Sequence, residues 1–343
     1  MKGVVLSTTA EQQGDRNPLA GATNTNKAAL IRLVLAESTA CSRLFKGINL
    51  ALTHAVQTAS RKRQEMAAMA QRGKPRAQGP SALDSAVQMR DRDILRVVED
   101  AVHHREVKLA YQPIVHSLRQ DHIAFYEGLI RVTDPTGRII PAGQFIEAIE
   151  ERETGRLLDC LALEHGMRVL AKNPQIRLAV NLSARSIGYP KWRKVLQRGL
   201  ARDETVAERL ILEITEASAM LVPELVVQAM RDLQGVGISF ALDDFGAGYT
   251  ALRYLKEFQF DILKIDGQFI RGITQDADNQ VLTRTIVAIA QQFDMFTVAE
   301  FVESNDDAMT LAELGVDCLQ GYYFGAPTIT PPWHGATAQA QVG

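Results

Sequence analysis

From about Met89 onward, short apolar runs alternate with longer segments of helical period, and this alternation limits the possible folds more than any other feature of the chain. The runs are VKLAYQPIV, AFYEGLIRV, RLAVNLS, RLILEITE, SFALDDFG, DILKIDG, FTVAEFV and CLQGYYFG. Helical patterns lie between them, among others from Gln144 to Ala171, Pro223 to Leu233, Asn279 to Phe293 and Asp306 to Leu314. Strand followed by helix, repeated, argues a parallel sheet with helices packed outside it. Eight strand candidates within roughly 240 residues match a closed (β/α)8 barrel of TIM-like type. An open doubly wound sheet is the alternative, but no Gly-rich dinucleotide fingerprint follows the first strand.

The stretch ahead of the alternation is of another kind. Residues 1–26 are polar and without periodicity, which predicts a disordered leader. From Lys27 to about Ala70, Leu30, Leu33, Val34, Leu44, Phe45, Ile48 and Leu52 recur at helical spacing. Arg61, Lys62, Arg63, Arg72, Lys74 and Arg76 then cluster before Gly79 and Pro80, so residues 27–90 read as a basic helical segment and linker. Residues 1–90 hold 13 Lys and Arg against 5 Asp and Glu, although the whole chain has a net charge of −2. The basic cluster could meet a partner or an anionic membrane surface, or be a solvated helix end. No aromatic residues interleave with it, so no nucleic-acid partner is expected.

A hydrophobic fraction of 46% and a charged fraction of 23% are ordinary for a globular protein with a sizeable core. No apolar run reaches the roughly 18 residues of a membrane span, and the N-terminus turns polar too soon for a signal peptide, so a cytoplasmic location is expected. Cys41, Cys160 and Cys318 are far apart and odd in number, which suggests buried thiols rather than a disulfide framework or a zinc site.

The chemistry is concentrated at the ends of the apolar runs. Asn181, Glu213, Asp243, Lys264 and Glu300 each stand at or near such an end, as does Glu127 within AFYEGLIRV. In a (β/α)8 barrel the C-terminal strand ends converge on one mouth, so residues scattered through the sequence become neighbours. With Asp244, that mouth gathers five carboxylates and an amide, which repel one another unless a cation joins them. An oxygen-rich set suits a hard cation such as Mg2+ or Mn2+, and the scarcity of His and Cys argues against zinc or copper. Asp243 and Asp244 could reach different ions with one carboxylate bridging; alternatively they could cap the helix of the following loop. Two ions about 3.5–4 Å apart are the standard device for in-line attack of water on a phosphodiester. Lys264 would then supply a cation near the attacking water or the developing phosphorane charge.

The segments Tyr111-Gln112-Pro113-Ile114, Glu127-Gly128-Leu129-Ile130-Arg131, Asn181-Leu182-Ser183, Glu213-Ile214-Thr215-Glu216, Asp243-Asp244-Phe245-Gly246, Lys264-Ile265-Asp266, Ala299-Glu300 and Gln320-Gly321-Tyr322-Tyr323-Phe324 carry a resemblance. In order and spacing they resemble the EAL-domain family of cyclic di-GMP phosphodiesterases, over about residues 91–331, with residues 332–343 left as a flexible tail. The resemblance implies a barrel whose first strand is antiparallel and which hydrolyses cyclic di-GMP to linear pGpG with two Mg2+ or Mn2+ ions. It implies Glu127, Asn181, Glu213 and Asp243 as ligands of one ion, and Asp243, Asp244 and Glu300 as ligands of the other. Lys264 matches the lysine beside the nucleophilic water, so Lys264, Glu300, Glu127 and Asp243 are the implied catalytic group. Arg131 matches a phosphate-binding arginine, and Gln112 and Gln320 are assigned to substrate binding, although a hydrogen bond within the mouth explains Gln320 equally well. Glu216 matches a glutamate that anchors the loop after Asp-Asp-Phe-Gly, and a homodimer through the barrel is implied as well.

Three departures from the family pattern bear on activity. Gly128 replaces the Ala of Glu-Ala-Leu; Ala247 and Ala251 replace hydroxyl residues in a possible gate from Gly246 to Leu252; and Phe301 stands where the family has Gly. If position 301 requires a positive φ, Phe is strained there and Glu300 is displaced; ordinary strand dihedrals would turn Phe301 toward the outer helices, and the second is expected. The rival function is a cyclic di-GMP receptor or interaction module. A receptor is expected to have lost a metal carboxylate, and this sequence keeps all of them together with Lys264.

Overall fold

The computed structural model describes residues 94–247, 255–331 and 333. The predicted leader, the basic segment, most of the proposed gate, Cys41 and residues 332 and 334–343 of the predicted tail lie outside them.

Eight strands close into a ring. They are β1 (Val107–His116), β2 (Arg119–Thr133), β4 (Leu178–Asn181), β5 (Leu210–Thr215), β6 (Ser239–Phe245), β7 (Ile262–Ile265), β8 (Phe296–Ala299) and β9 (Cys318–Gln320). The order β1-β9-β8-β7-β6-β5-β4-β2 is closed by pairing of β2 with β1. β1 runs antiparallel to both neighbours, because β1 and β2 form a hairpin while every later pair in the ring is parallel. A ninth strand, β3 (Ile139–Pro141), extends the sheet outside the ring on β2.

Parallel strands covered by helices are buried on both faces and read as continuous apolar runs, which is why LILEIT and ILKI carry so little alternation. The alternation reappears inside the barrel. Ile114, Phe125, Ala179, Ile211, Ala241, Ile262, Val298 and Cys318, one from each strand of the ring, form a single apolar cluster. These residues fill the lower interior.

The α-helices of the described residues are α1 (94–104), α2 (Ile146–Ile149), α3 (Glu153–Lys172), α4 (Ala184–Ile187), α5 (Pro190–Arg202), α6 (Glu216–Ala219), α7 (Pro223–Gln234), α8 (Ala277–Gln292) and α9 (Asn305–Glu313), with 3-10 turns at Ala142–Gln144, Glu204–Arg209 and Ile273–Gln275. The single helical pattern expected from Gln144 to Ala171 divides into α2 and α3, and a Cβ at Gly155 would collide with the Ile149 backbone, so the corner is tight. Val98, Ala101 and Val102 of α1 pack with Val132, Ile140, Phe145 and Leu161 in a second cluster. Cys160 and Cys318 are buried free thiols, as expected. Trp333, placed by sequence in the tail, is buried instead, edge-on to Tyr111 and Tyr126. Its ring supplies apolar cover for those two tyrosines. Among the described residues no helix is long and apolar enough to cross a membrane.

Candidate active site at the barrel mouth

Side chains of a strand face the same way every second residue. Two residues beyond each member of the lower layer, toward the mouth, stand Glu127, Asn181, Glu213, Asp243, Lys264, Glu300 and Gln320; on antiparallel β1 the same step runs backward to Gln112. The next layer of the barrel is therefore wholly polar, and it comprises eight of the residues singled out from sequence.

Lys264 is its centre. The side chain is 1% exposed, and its Nζ lies 2.8 Å from Glu300 Oε1, 3.0 Å from Asp243 Oδ1, 3.3 Å from Glu213 Oε2 and 3.5 Å from Glu127 Oε2. Burial alone would favour a neutral amine, but the charges of Asp243, Glu127, Glu213 and Glu300 hold the lysine well above its ordinary value. It is a fixed cation. Four carboxylates nevertheless share one ammonium, and the excess shows in Glu300 and Glu213. Burial, with Asp243 and Glu127 adding, pushes Glu300 up to about 8, although Lys264 opposes the shift. Burial also raises Glu213 well above the carboxylate range, again against Lys264. Glu127 goes the other way: burial is outweighed by Lys264 and by hydrogen bonds from Gln320 and Asn181.

Those bonds make Glu127 the most closely oriented acid of the layer. Asn181 Nδ2 donates to Glu127 Oε1 at 3.0 Å, and Gln320 Nε2 donates to Glu127 Oε2 at 2.6 Å and to Gln112 Oε1 at 3.1 Å. Gln112 Nε2 donates in turn to the Gly325 carbonyl at 3.1 Å. Both glutamines are buried, and their amides serve Glu127 and the loop after β9.

Asp244 lies outside the layer, since its neighbour Asp243 takes the inward position. Strand β6 is irregular there: pairing with β7 shifts between Leu242 and Phe245, and Asp244 has φ 55°, which Asp tolerates better than most residues. The kink brings oxygens of Asp243, Asp244 and Glu300 within 4.8 Å of one another. Burial and the Asp243 charge raise Asp244 to about 6. The adjacent Gly246 N–H donates to Glu216 Oε2 at 3.3 Å, joining α6 to the start of the loop after β6. Half-buried Arg131 stands at the mouth end of β2 near Glu127 and Tyr322, with Nη1 donating to the Ile130 carbonyl at 2.9 Å.

Phe301 differs from expectation. Its φ is 55° and the residue is 46% exposed rather than turned to the helix layer. β8 ends at Ala299, and beyond it Val302 N–H must reach the Gln320 carbonyl while Gly321 packs against the Val302 backbone; residue 301 takes up the turn. Glu300 is not displaced, since it makes the shortest contact to Lys264. Tyr322 and Tyr323, next to Gln320 and Gly321, are exposed. Sequence reading did not find Asp159 of α3, which accepts hydrogen bonds from Ser186 Oγ at 2.6 Å and Ser183 N–H at 3.2 Å and so braces the loop after Asn181. An acid inside an amphipathic helix gives no signal of such a contact.

A donor set of carboxylate and amide oxygens, with Glu213 Oε1 buried and without a hydrogen-bond partner, fits hard divalent cations. Fold and layer together define a (β/α)8-type barrel with an acid-rich mouth built around a buried lysine. The EAL domain model matches residues 95–327, and the chain belongs to that family. It is 31% identical over 234 residues to the cyclic di-GMP phosphodiesterase PdeF of Escherichia coli K12, an alignment covering 67% of this chain and 31% of PdeF. The chain thus spans about a third of the length of the curated relatives it matches first. The structure of the PaMucR phosphodiesterase in complex with c-di-GMP is similar, with a TM-score of 0.61 and 30% identity, covering 69% of this chain and 97% of that one. The manganese and cyclic di-GMP complex of BlrP1 from Klebsiella pneumoniae gives a TM-score of 0.57 at 26% identity, covering 65% and 56%.

Proposed function

We propose that this barrel hydrolyses cyclic di-GMP to linear pGpG with two divalent cations, Mg2+ or Mn2+. The observation that carries the proposal is the polar layer, in which four carboxylates converge on Lys264 beside the Asp243, Asp244 and Glu300 group. Names of relatives and the manganese in the Klebsiella complex support it. Glu127, Asn181, Glu213 and Asp243 would hold one ion; Asp243, Asp244 and Glu300 would hold the other. When bound, the ions supply acidification of a water and neutralisation of charge on phosphate oxygens.

The remaining steps belong to the protein. Asn181 and Gln320 fix both oxygens of Glu127, so that acid meets its ion without reorganising. Lys264, held as a cation by the carboxylates around it, would donate toward the oxygen on which charge develops. Arg131 presents the remaining N–H groups of its guanidinium to a substrate phosphate. Glu216 holds Gly246 and with it the first residue of the loop after the kink. The proposal includes a homodimer through the barrel, checked by mass in solution.

A second reading, a receptor that binds cyclic di-GMP without turnover, is favoured by Phe301 at φ 55° immediately beside Glu300. Incubating the purified protein with cyclic di-GMP and Mg2+ or Mn2+ separates the two. Formation of pGpG that stops on chelation is expected; tight binding with no product would leave the receptor reading in its place.

A further inference from the structure

The end of β8 carries an aromatic ring in a setting that packing does not require. Phe301 follows Glu300 directly, adopts a left-handed backbone disfavoured for any residue with a Cβ, and leaves nearly half its surface in solvent. The ring is nonetheless held. A Cβ at Gly267 would collide with Phe301 Cδ2 and Cγ, so glycine at that position makes the room in which the ring lies. The Arg271 guanidinium carbon sits 4.2 Å from the ring centroid, a close cation–π contact. Gly267 and Arg271 both come from the segment after β7, the strand that carries Lys264. The ring is therefore fixed on the mouth rim between the ends of β7 and β8.

A rigid ring, backed by a guanidinium and nearly half exposed, is pre-organised to stack on a flat aromatic group. We propose that Phe301, backed by Arg271, is the stacking platform for a purine base of the substrate and sets the base preference of the site. The inference rests on the cyclic dinucleotide reading above and deepens it. Phe301 touches the base; the reacting phosphate is left to the polar layer. The same geometry accounts for glycine at position 267 and for the place of Arg271.

The test is equilibrium binding of two phosphorothioate cyclic dinucleotides, one with two guanines and one with two uracils, to the full chain carrying F301G or R271A. Glycine suits φ 55°, so F301G should melt no lower than wild type, which removes misfolding as an explanation. F301G should lose about tenfold in affinity for the guanine analogue and much less for the uracil analogue, because stacking strength follows ring size. R271A should show a smaller loss in the same direction. Equal losses for both bases, unchanged guanine affinity in F301G, or no binding of either analogue by the wild-type chain would overturn the proposal. Guanine binding that falls in F301G while wild type forms no pGpG would sink the phosphodiesterase reading and leave the platform standing.

Discussion

Two layers of the same barrel stand two residues apart on the same strands, and they are built on opposite terms. The lower layer, from Ile114 round to Cys318, is apolar and needs nothing but volume. The upper layer places Glu127, Glu213, Asp243 and Glu300 around one ammonium, with Asn181 and Gln320 orienting Glu127 and Gln112 accepting from Gln320. Like charges in a dry interior oppose folding unless a cation joins them. The lower layer therefore stabilises the fold, while the upper stores an unmet demand for positive charge. Strand pairing fixes both at once, since a slip of one residue would turn both layers outward.

That contrast can be broken at several points. The largest effect expected is on turnover: Glu127→Ala removes an oriented acid of the upper layer and should lower kcat per folded molecule by about 10²–10³-fold or more. A wild-type rate would mean the site is elsewhere. The mirror experiment is Ile211→Ala in the lower layer, which should cost about 2–4 kcal/mol in denaturant unfolding while activity per folded molecule stays within about twofold. A smaller effect of opposite sign is expected from Glu213→Gln. It keeps the shape but removes a carboxylate whose ionisation burial opposes, so the chelated variant should unfold at higher denaturant, by about 1 kcal/mol, and turn over poorly.

Asp159 sharpens the comparison, as a half-buried acid with hydroxyl and N–H partners in place of Lys264. Burial raises it to about 7 despite the hydrogen bonds from Ser186 and Ser183. The folded state then binds more protons than the unfolded one between about pH 4 and 7, so its contribution is fully present at low pH and is lost as pH rises through that window. Asp159→Asn, which can accept both hydrogen bonds, should flatten this fall and gain on the order of 1 kcal/mol above pH 7 in a pH series of unfolding curves.

The polar layer was legible because period-two alternation and the convergence of strand ends are properties of sequence and topology alone. Glu127, Asn181, Glu213, Asp243, Lys264 and Glu300 each follow an apolar run, and strand direction does the rest. What escaped depends on non-local backbone geometry. Nothing in Ala-Glu-Phe-Val announces that Val302 must pair with Gln320, which forces Phe301 to φ 55° and turns its ring outward. β3 is three residues long and ends in Pro, too short to show a period. The glutamines illustrate the remaining gap: their place at the mouth was readable, but not that their amides serve Glu127.

The claim that the upper layer is a two-cation site is tested most directly by counting bound Mn2+ per chain by equilibrium dialysis, in wild type and in Asp244→Asn. Asp244 belongs to one of the two proposed ligand sets and is absent from the other. The account predicts two ions in wild type and one in the variant. An unchanged count in Asp244→Asn, or fewer than two ions in wild type at saturating Mn2+, would contradict it.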